Sequence, residues 1–208
     1  VIMLEFAAHM EKAHGYQTRQ LDLGGGYGVR YTAEDEAINI SARLAELAAH
    51  LKEETEKLGL PMPRFLMEPG RSIVADAGMT LYTVGSVKRI PGYKQYAAVD
   101  GGMTDNPRYA LYQSRYTVYH AHKSGSMERF DVVGRCCESG DIIQPGVELP
   151  GDTCRGDILA VCTTGAYNYS MASNYNRLPR PAVVMLTPDR IYEAVRRETF
   201  ADLTALDL

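Results

Sequence analysis

The sequence predicts two folds in series, an α/β segment over residues 1–78 and an all-β domain over residues 79–208. Two observations carry this reading. Before residue 78, strand-like runs alternate with helical periodicity; beyond it, short strand-like runs follow one another across Gly, Pro, Asn and Asp turns.

Residues 2–14 place Ile2, Phe6, Met10 and Ala13 at helical spacing, and Gly15 suits the C-cap. "RQLDL" (19–23) alternates as a short strand and runs into "GGGYG". Thr32 and Asp35 form a cap-like pair, after which Ile40, Leu44, Leu47 and Leu51 mark the apolar face of a second helix until Gly59. "RFLME" (64–68) is the next strand, closed by "PGR", and strand–helix–strand order implies parallel pairing. Beyond residue 78, "MTLYTVGSVKRI", "KQYAAVD", "YTVYHA", "RFDVVG", "DILAVC" and "AVVML" read as strands of an antiparallel sandwich or barrel-like domain. A short helix with Phe200, Leu203 and Leu206 on one face closes the chain.

The α/β segment poses a packing problem. Two strands and two helices cannot close a (β/α)8 barrel, which takes about 250 residues. Alone, such a unit leaves apolar faces uncovered, so residues 1–77 are expected to be the tail of a larger α/β domain. The chain starts at Val1 inside a predicted helix, and a fragment is expected.

Composition narrows the function classes. A net charge of −4 with scattered Lys and Arg argues against nucleic-acid and membrane partners. No apolar run approaches the roughly 18–20 residues that span a bilayer, and no signal peptide is visible. Cys136, Cys137, Cys154 and Cys162 form no CxxC pair and accompany no His cluster, so neither a disulfide nor a metal is expected. A reducing cytoplasm fits this cysteine usage.

The chemistry concentrates in five blocks. In "DLGGGYG", Gly24, Gly25 and Gly26 lack Cβ atoms, so their backbone can approach an anion closely; a merely tight turn is the alternative. A Rossmann fingerprint fits poorly, because Val29 stands where its last glycine belongs. "MEPGRS" sets Glu68 and Arg71 around Gly70, either as a structural ion pair or as a carboxylate beside a guanidinium that grips an anion. "DGGMTDNPRYALY" (100–112), "CESGD" (137–141) and "GAYNYSMASNYN" (165–176) follow.

In this order the five blocks resemble the fold-type III pyridoxal-phosphate decarboxylases, within them the diaminopimelate branch, over essentially all 208 residues. The resemblance implies the end of an alanine-racemase-like barrel followed by a β domain, with pyridoxal 5'-phosphate as cofactor. It implies that Gly24, Gly25 and Gly26 lie against the cofactor phosphate with Gly70 and Arg71 nearby, and that Glu68 faces the pyridine nitrogen. Arg71, Arg108 and Tyr112 are implied to hold substrate carboxylate. Glu138 is implied to pair with the distal amino group, and Tyr167 to touch cofactor and substrate. Cys137 is implied to be the acid that protonates the substrate carbon after carbon dioxide leaves, while Cys136 is a packing residue. A homodimer with shared active sites is also implied.

The chemistry of the substrate agrees with this set. Diaminopimelate carries an amino-acid group at each end, so binding its unreacting end needs a cation and an anion. One departure matters. The family anchors its cofactor on a lysine in a Tyr-x-x-Lys-Ala-Asn-like block, and Lys12, Lys52, Lys57, Lys88, Lys94 and Lys123 all lie outside such a block. The chain is therefore expected to be the C-terminal part of the enzyme and inactive alone. The alternatives are a decarboxylase of the ornithine, arginine or carboxynorspermidine type, or a non-catalytic binding or regulatory homologue.

Overall fold

The computed structural model describes all residues from Val1 to Leu208, and the chain divides into two compact units. Unit 1 comprises Val1–Arg30 and Glu34–Ile73; unit 2 comprises Tyr31–Ala33 and Val74–Leu208.

Unit 1 contains α1 (Ile2–His14), β1 (Gln20–Asp22), α2 (Ile40–Lys57) and β2 (Arg64–Leu66). Gly15 ends α1 in the left-handed region at φ 67°, where glycine carries no Cβ penalty. The buried stripe of α1 is Leu4 and Ala7, whereas Ile2 and Phe6 of the expected face are exposed. α2 is capped by Asn39, whose side-chain oxygen accepts from Ala42 N at 3.0 Å. The expected cap pair, Thr32 and Asp35, lies before the helix, and Leu51 is the one buried leucine of its apolar face. β1 and β2 pair in parallel, Gln20 opposite Arg64 and Asp22 opposite Leu66, as strand–helix–strand order requires.

α3 (Arg71–Val74) is a single turn, after which the sheet of unit 2 begins. Its strands are β3 (Met79–Ile90), β4 (Lys94–Val99), β5 (Val118–His120), β6 (Met127–Val133), β7 (Ile142–Pro150) and β8 (Ile158–Cys162), in the order β5-β8-β3-β4-β6-β7. β3 serves two neighbours: Met79–Thr83 pair with β8, and Val84–Ile90 pair with β4. The hydroxyls of Thr80 and Thr164 meet at 2.8 Å across 84 residues of chain. The sheet curls so that β5 and β7 come together, and Gln144 Oε1 accepts from Tyr116 N at 2.8 Å across that closure. This is the barrel-like form expected. The all-antiparallel expectation is corrected at one seam, since β4 and β6 run parallel, Tyr96 opposite Asp131.

Period-two burial explains the interior. Tyr82 and Val84, Ala97 and Val99, Phe130 and Val132, Ile143, Val147 and Leu149, and Leu159 and Val161 point into one core. Burying each large side chain contributes about 1.5–3 kcal/mol relative to exposure. Between them Asp131 is buried and bonded, accepting from Lys94 Nζ at 2.6 Å and Gly146 N at 2.8 Å.

β9 (Val183–Leu186) and β10 (Ile191–Val195) form a separate antiparallel hairpin, and α5 (Phe200–Thr204) follows. Thr199 and Asp202 close a capping box at the start of α5. α4 (Arg108–Tyr112) interrupts the strands between β4 and β5.

Candidate active site

In unit 1 the triple glycine rests on the turn that follows β2. Leu23 N donates to Leu66 O at 3.0 Å and Glu68 N to Gly24 O at 2.8 Å, extending the strand pairing into both turns. A Cβ on Gly25 would lie 2.2 Å from Glu68 O, so no other residue fits there. Gly24 and Gly26 sit at φ 70° and 95°, and a Cβ on either would meet nothing within 4 Å. The cradle thus needs glycine for conformation at two positions and for space at the third, and its outer side is open. Gly70 accepts from Ile73 N at 3.0 Å, which starts the α3 turn headed by Arg71. Gly24, Gly25, Gly26, Glu68, Gly70 and Arg71 are therefore gathered at adjoining strand ends.

In unit 2, α4 brings Arg108 and Tyr112 onto one side. The Arg108 guanidinium lies 5.2 Å from the Tyr112 ring centroid and 6.0 Å from that of Tyr167. Arg108 is buried, whereas both tyrosine rings retain solvent access. Behind them Tyr116 donates to Asn168 Oδ1 at 3.3 Å, and burial pushes its hydroxyl up to about 12. Arg108 Nε and Asn168 Nδ2 are buried without a protein acceptor, leaving hydrogen-bonding capacity beside the tyrosines.

The thiol turn, residues 134–141, is held from three sides. Arg135 N donates to Gly101 O at 3.1 Å, Cys136 N to Asp141 Oδ2 at 2.6 Å, and Cys137 N to Asn176 Oδ1 at 2.8 Å. The third tether comes from the block that also carries Tyr167, itself tied back by Ser173 N to Thr104 O at 2.8 Å. Cys137 is exposed and Cys136 half-buried. Burial, reinforced by the charge of Asp141, pushes the Cys136 thiol up to about 11. Glu138 is exposed, and its carboxylate is held below the usual range by Gly140 N and the Ser139 hydroxyl.

The sequence blocks thus supply two clusters, one in each unit. Asp141 and Asn176 belong to quoted blocks, yet their roles are conformational and carried no sequence signal beyond a short polar residue beside a turn. All four cysteines are free, and no group of His, Cys, Asp and Glu is arranged to hold a metal ion. No helix is long and apolar enough to cross a membrane. A surface groove lined by Arg89, Tyr93, Lys94, Glu128 and Asp131 contains none of these residues, and its Lys94 and Asp131 are already paired.

Comparison with known proteins bears on the family and the fold. The family described as "Pyridoxal-dependent decarboxylase, C-terminal sheet domain" matches residues 18–165. A diaminopimelate decarboxylase from Bacillus subtilis (strain 168) is 46% identical over 198 residues, covering 94% of this chain and 45% of its own length. A diaminopimelate decarboxylase from M. jannaschii, solved in co-complex with L-lysine, superposes with a TM-score of 0.89 at 32% identity, covering 99% of this chain and 46% of that one. The Helicobacter pylori diaminopimelate decarboxylase, complexed with L-lysine, gives 0.83 at 32% identity, covering 98% and 49%. The chain spans about half the length of the relatives it matches. From the strand order to the five blocks, the chain belongs to the pyridoxal-dependent decarboxylases, through their C-terminal sheet domain.

Proposed function

We propose that this chain forms the C-terminal part of a decarboxylase that converts meso-2,6-diaminopimelate to L-lysine and carbon dioxide. In this reading residues 1–78 complete a (β/α)8 barrel and residues 79–208 form the β domain. The observation that carries it is the thiol turn, which sets an exposed thiol, Cys137, directly before an exposed ionised carboxylate, Glu138. An acid for the reacting carbon and an anion for a distal ammonium are what this substrate needs.

The open glycine cradle fits the phosphate of pyridoxal 5'-phosphate, because Gly24 and Gly26 meet nothing on their outer side. Gly24, Gly25, Gly26, Gly70 and Arg71 would hold that phosphate, Glu68 the ring nitrogen, and Tyr167 the ring edge. When bound, the cofactor supplies an electron sink for the bond to the departing carboxylate. The chain's own residues do the rest. Arg71, Arg108 and Tyr112 bind and orient substrate carboxylate, with the buried Arg108 guanidinium gaining strength from the low local dielectric. Glu138 holds the distal ammonium. Cys137 delivers a proton to the substrate carbon that has lost carbon dioxide, a general-acid task worth about 10²–10⁴-fold in rate.

The reading includes a homodimer in which the thiol turn of one copy lines the partner's site, open while that site is empty and closed against water once substrate is bound. It also includes an isolated 208-residue chain without turnover, because none of its lysines stands in the family's anchoring block. The test is a substrate panel on the full-length gene product, following carbon dioxide release from meso-diaminopimelate, ornithine, arginine and carboxynorspermidine. Preferred turnover of diaminopimelate is expected; turnover of another member with none of diaminopimelate overturns the reading.

A further inference from the structure

We propose that Asp141 is a positioning residue that presents Cys137, rather than Cys136, to the outside and locks the thiol turn to the loop bearing Arg108. The kinetic part of this proposal rests on the function proposed above; the thiol-reactivity part does not.

Asp141 closes the turn that Gly134 opens. Its main chain completes the loop, with Gly134 N donating to Asp141 O at 2.9 Å and Asp141 N to Glu138 O at 3.1 Å. Its side chain folds back inside, only 4% exposed, and divides its oxygens between two segments. Oδ1 accepts from Met103 N and Oδ2 from Cys136 N, each at 2.6 Å. Charged acceptors make short, strong bonds, and a carboxylate buried at this depth must be satisfied in this way. Met103 begins the stretch that leads into α4 and Arg108, so one carboxylate fixes both segments.

Two glycines make the socket. A Cβ on Gly102 would lie 2.6 Å from both carboxylate oxygens. A Cβ on Gly134 would lie 2.2 and 2.3 Å from them, and its three nearest atoms all belong to Asp141. By holding Cys136 N, Asp141 keeps the first thiol half-buried and leaves the second outside. Adjacent residues in a turn point to different sides, so losing this anchor lets the pair rotate and either thiol face outward. The selection matters because both residues carry a thiol, and the placement of each decides which one is exposed and which is held inside beside Asp141.

The experiment uses the full-length protein and measures iodoacetamide alkylation of Cys136 and Cys137 by peptide mapping, alongside kcat and KM per cofactor-loaded site. In the parent protein Cys137 should react at least about tenfold faster than Cys136, since alkylation follows exposure and thiolate character. In Asp141→Ala the ratio should collapse to within about threefold, and kcat should fall about 10–100-fold, as misplacement of a reacting group implies. Gly134→Ala should reproduce the collapse in the parent but add little in the Asp141→Ala background, where the atoms it strikes are gone. Asp141→Asn, which keeps the volume and one acceptor, provides the same readings if the alanine variant does not fold. A lowered melting temperature with an unchanged alkylation ratio would mean a merely structural carboxylate and overturns the proposal. If the parent has no decarboxylase activity, the function proposed above fails while the alkylation ratio still decides this one.

Discussion

Asn176 reaches across from one loop to accept the backbone N–H of Cys137 at 2.8 Å, while its own backbone stands at φ 55°. The residue does two jobs, since asparagine tolerates the left-handed region and also supplies the acceptor. Asn176→Ala should lose both, about 1–3 kcal/mol of local stability from the strained backbone and the missing bond. Asn176→Gly should lose the bond alone. Hydrogen exchange at the Cys137 amide is the measurement: both variants should exchange faster than the parent. Unchanged protection would show that the turn does not depend on this tether.

Gly165 allows two backbone segments of unit 2 to touch. A Cβ there would lie 1.9 Å from Val74 O, and Gly165 N already donates to Ala75 O at 3.0 Å. Gly165→Ala must push main chain rather than side chain, and overpacking of this kind costs about 1–3 kcal/mol. Urea denaturation should show that loss, with Tyr167, two residues on, displaced from Arg108. A variant of parental stability would mean that the segments part without cost.

Glu198 accepts from Arg180 N, Nε and Nη2 and from Asn174 Nδ2, and the guanidinium holds its carboxyl at about 2. A folded pKa below the unfolded one adds stability that is present above about 4.5 and lost as pH falls through about 2. The difference in unfolding free energy between the parent and Glu198→Gln should therefore shrink steadily across that window. A difference independent of pH would contradict the ion pair.

The shared active site of the proposed dimer predicts complementation. A subunit lacking the anchoring lysine and a Cys137→Ala subunit should each be inactive alone, the latter through kcat. Mixed, they should recover about a quarter of parental specific activity, because random pairing makes half the dimers mixed and each has one complete site. No recovery after verified subunit exchange would assign the thiol to its own chain's site.

Much of this was legible in the sequence, and the reasons differ by element. β3 was readable over its full Met79–Ile90 span because apolar and polar residues alternate with few breakers. β7 was not, because Pro145 and Gly146 interrupt its alternation; in the structure Gly146 adopts φ 67° and the strand continues past a register shift. The parallel seam between β4 and β6 leaves no local trace, since pairing direction is set by the long excursion through α4 and β5. At the candidate site, Cys137, Glu138 and the glycine cradle stood out by residue type, and Arg108 through the resemblance of its block to the family. Asp141 and Asn176 did not, because they act through backbone N–H groups that every sequence possesses.

The double allegiance of β3 has a consequence for how the molecule is made. Its C-terminal half finds β4 across a tight hairpin as soon as both leave the ribosome, and β6 finds β7 the same way. Its N-terminal half must wait for β8, and such distant closures are the slow ones. Until Ile158–Cys162 is synthesised, Met79–Thr83 offers an unsatisfied strand edge with Met79 and Leu81 beside it. The nascent chain thus passes through an interval when self-association competes with completion, and faster translation of the roughly seventy codons between β3 and β8 shortens it.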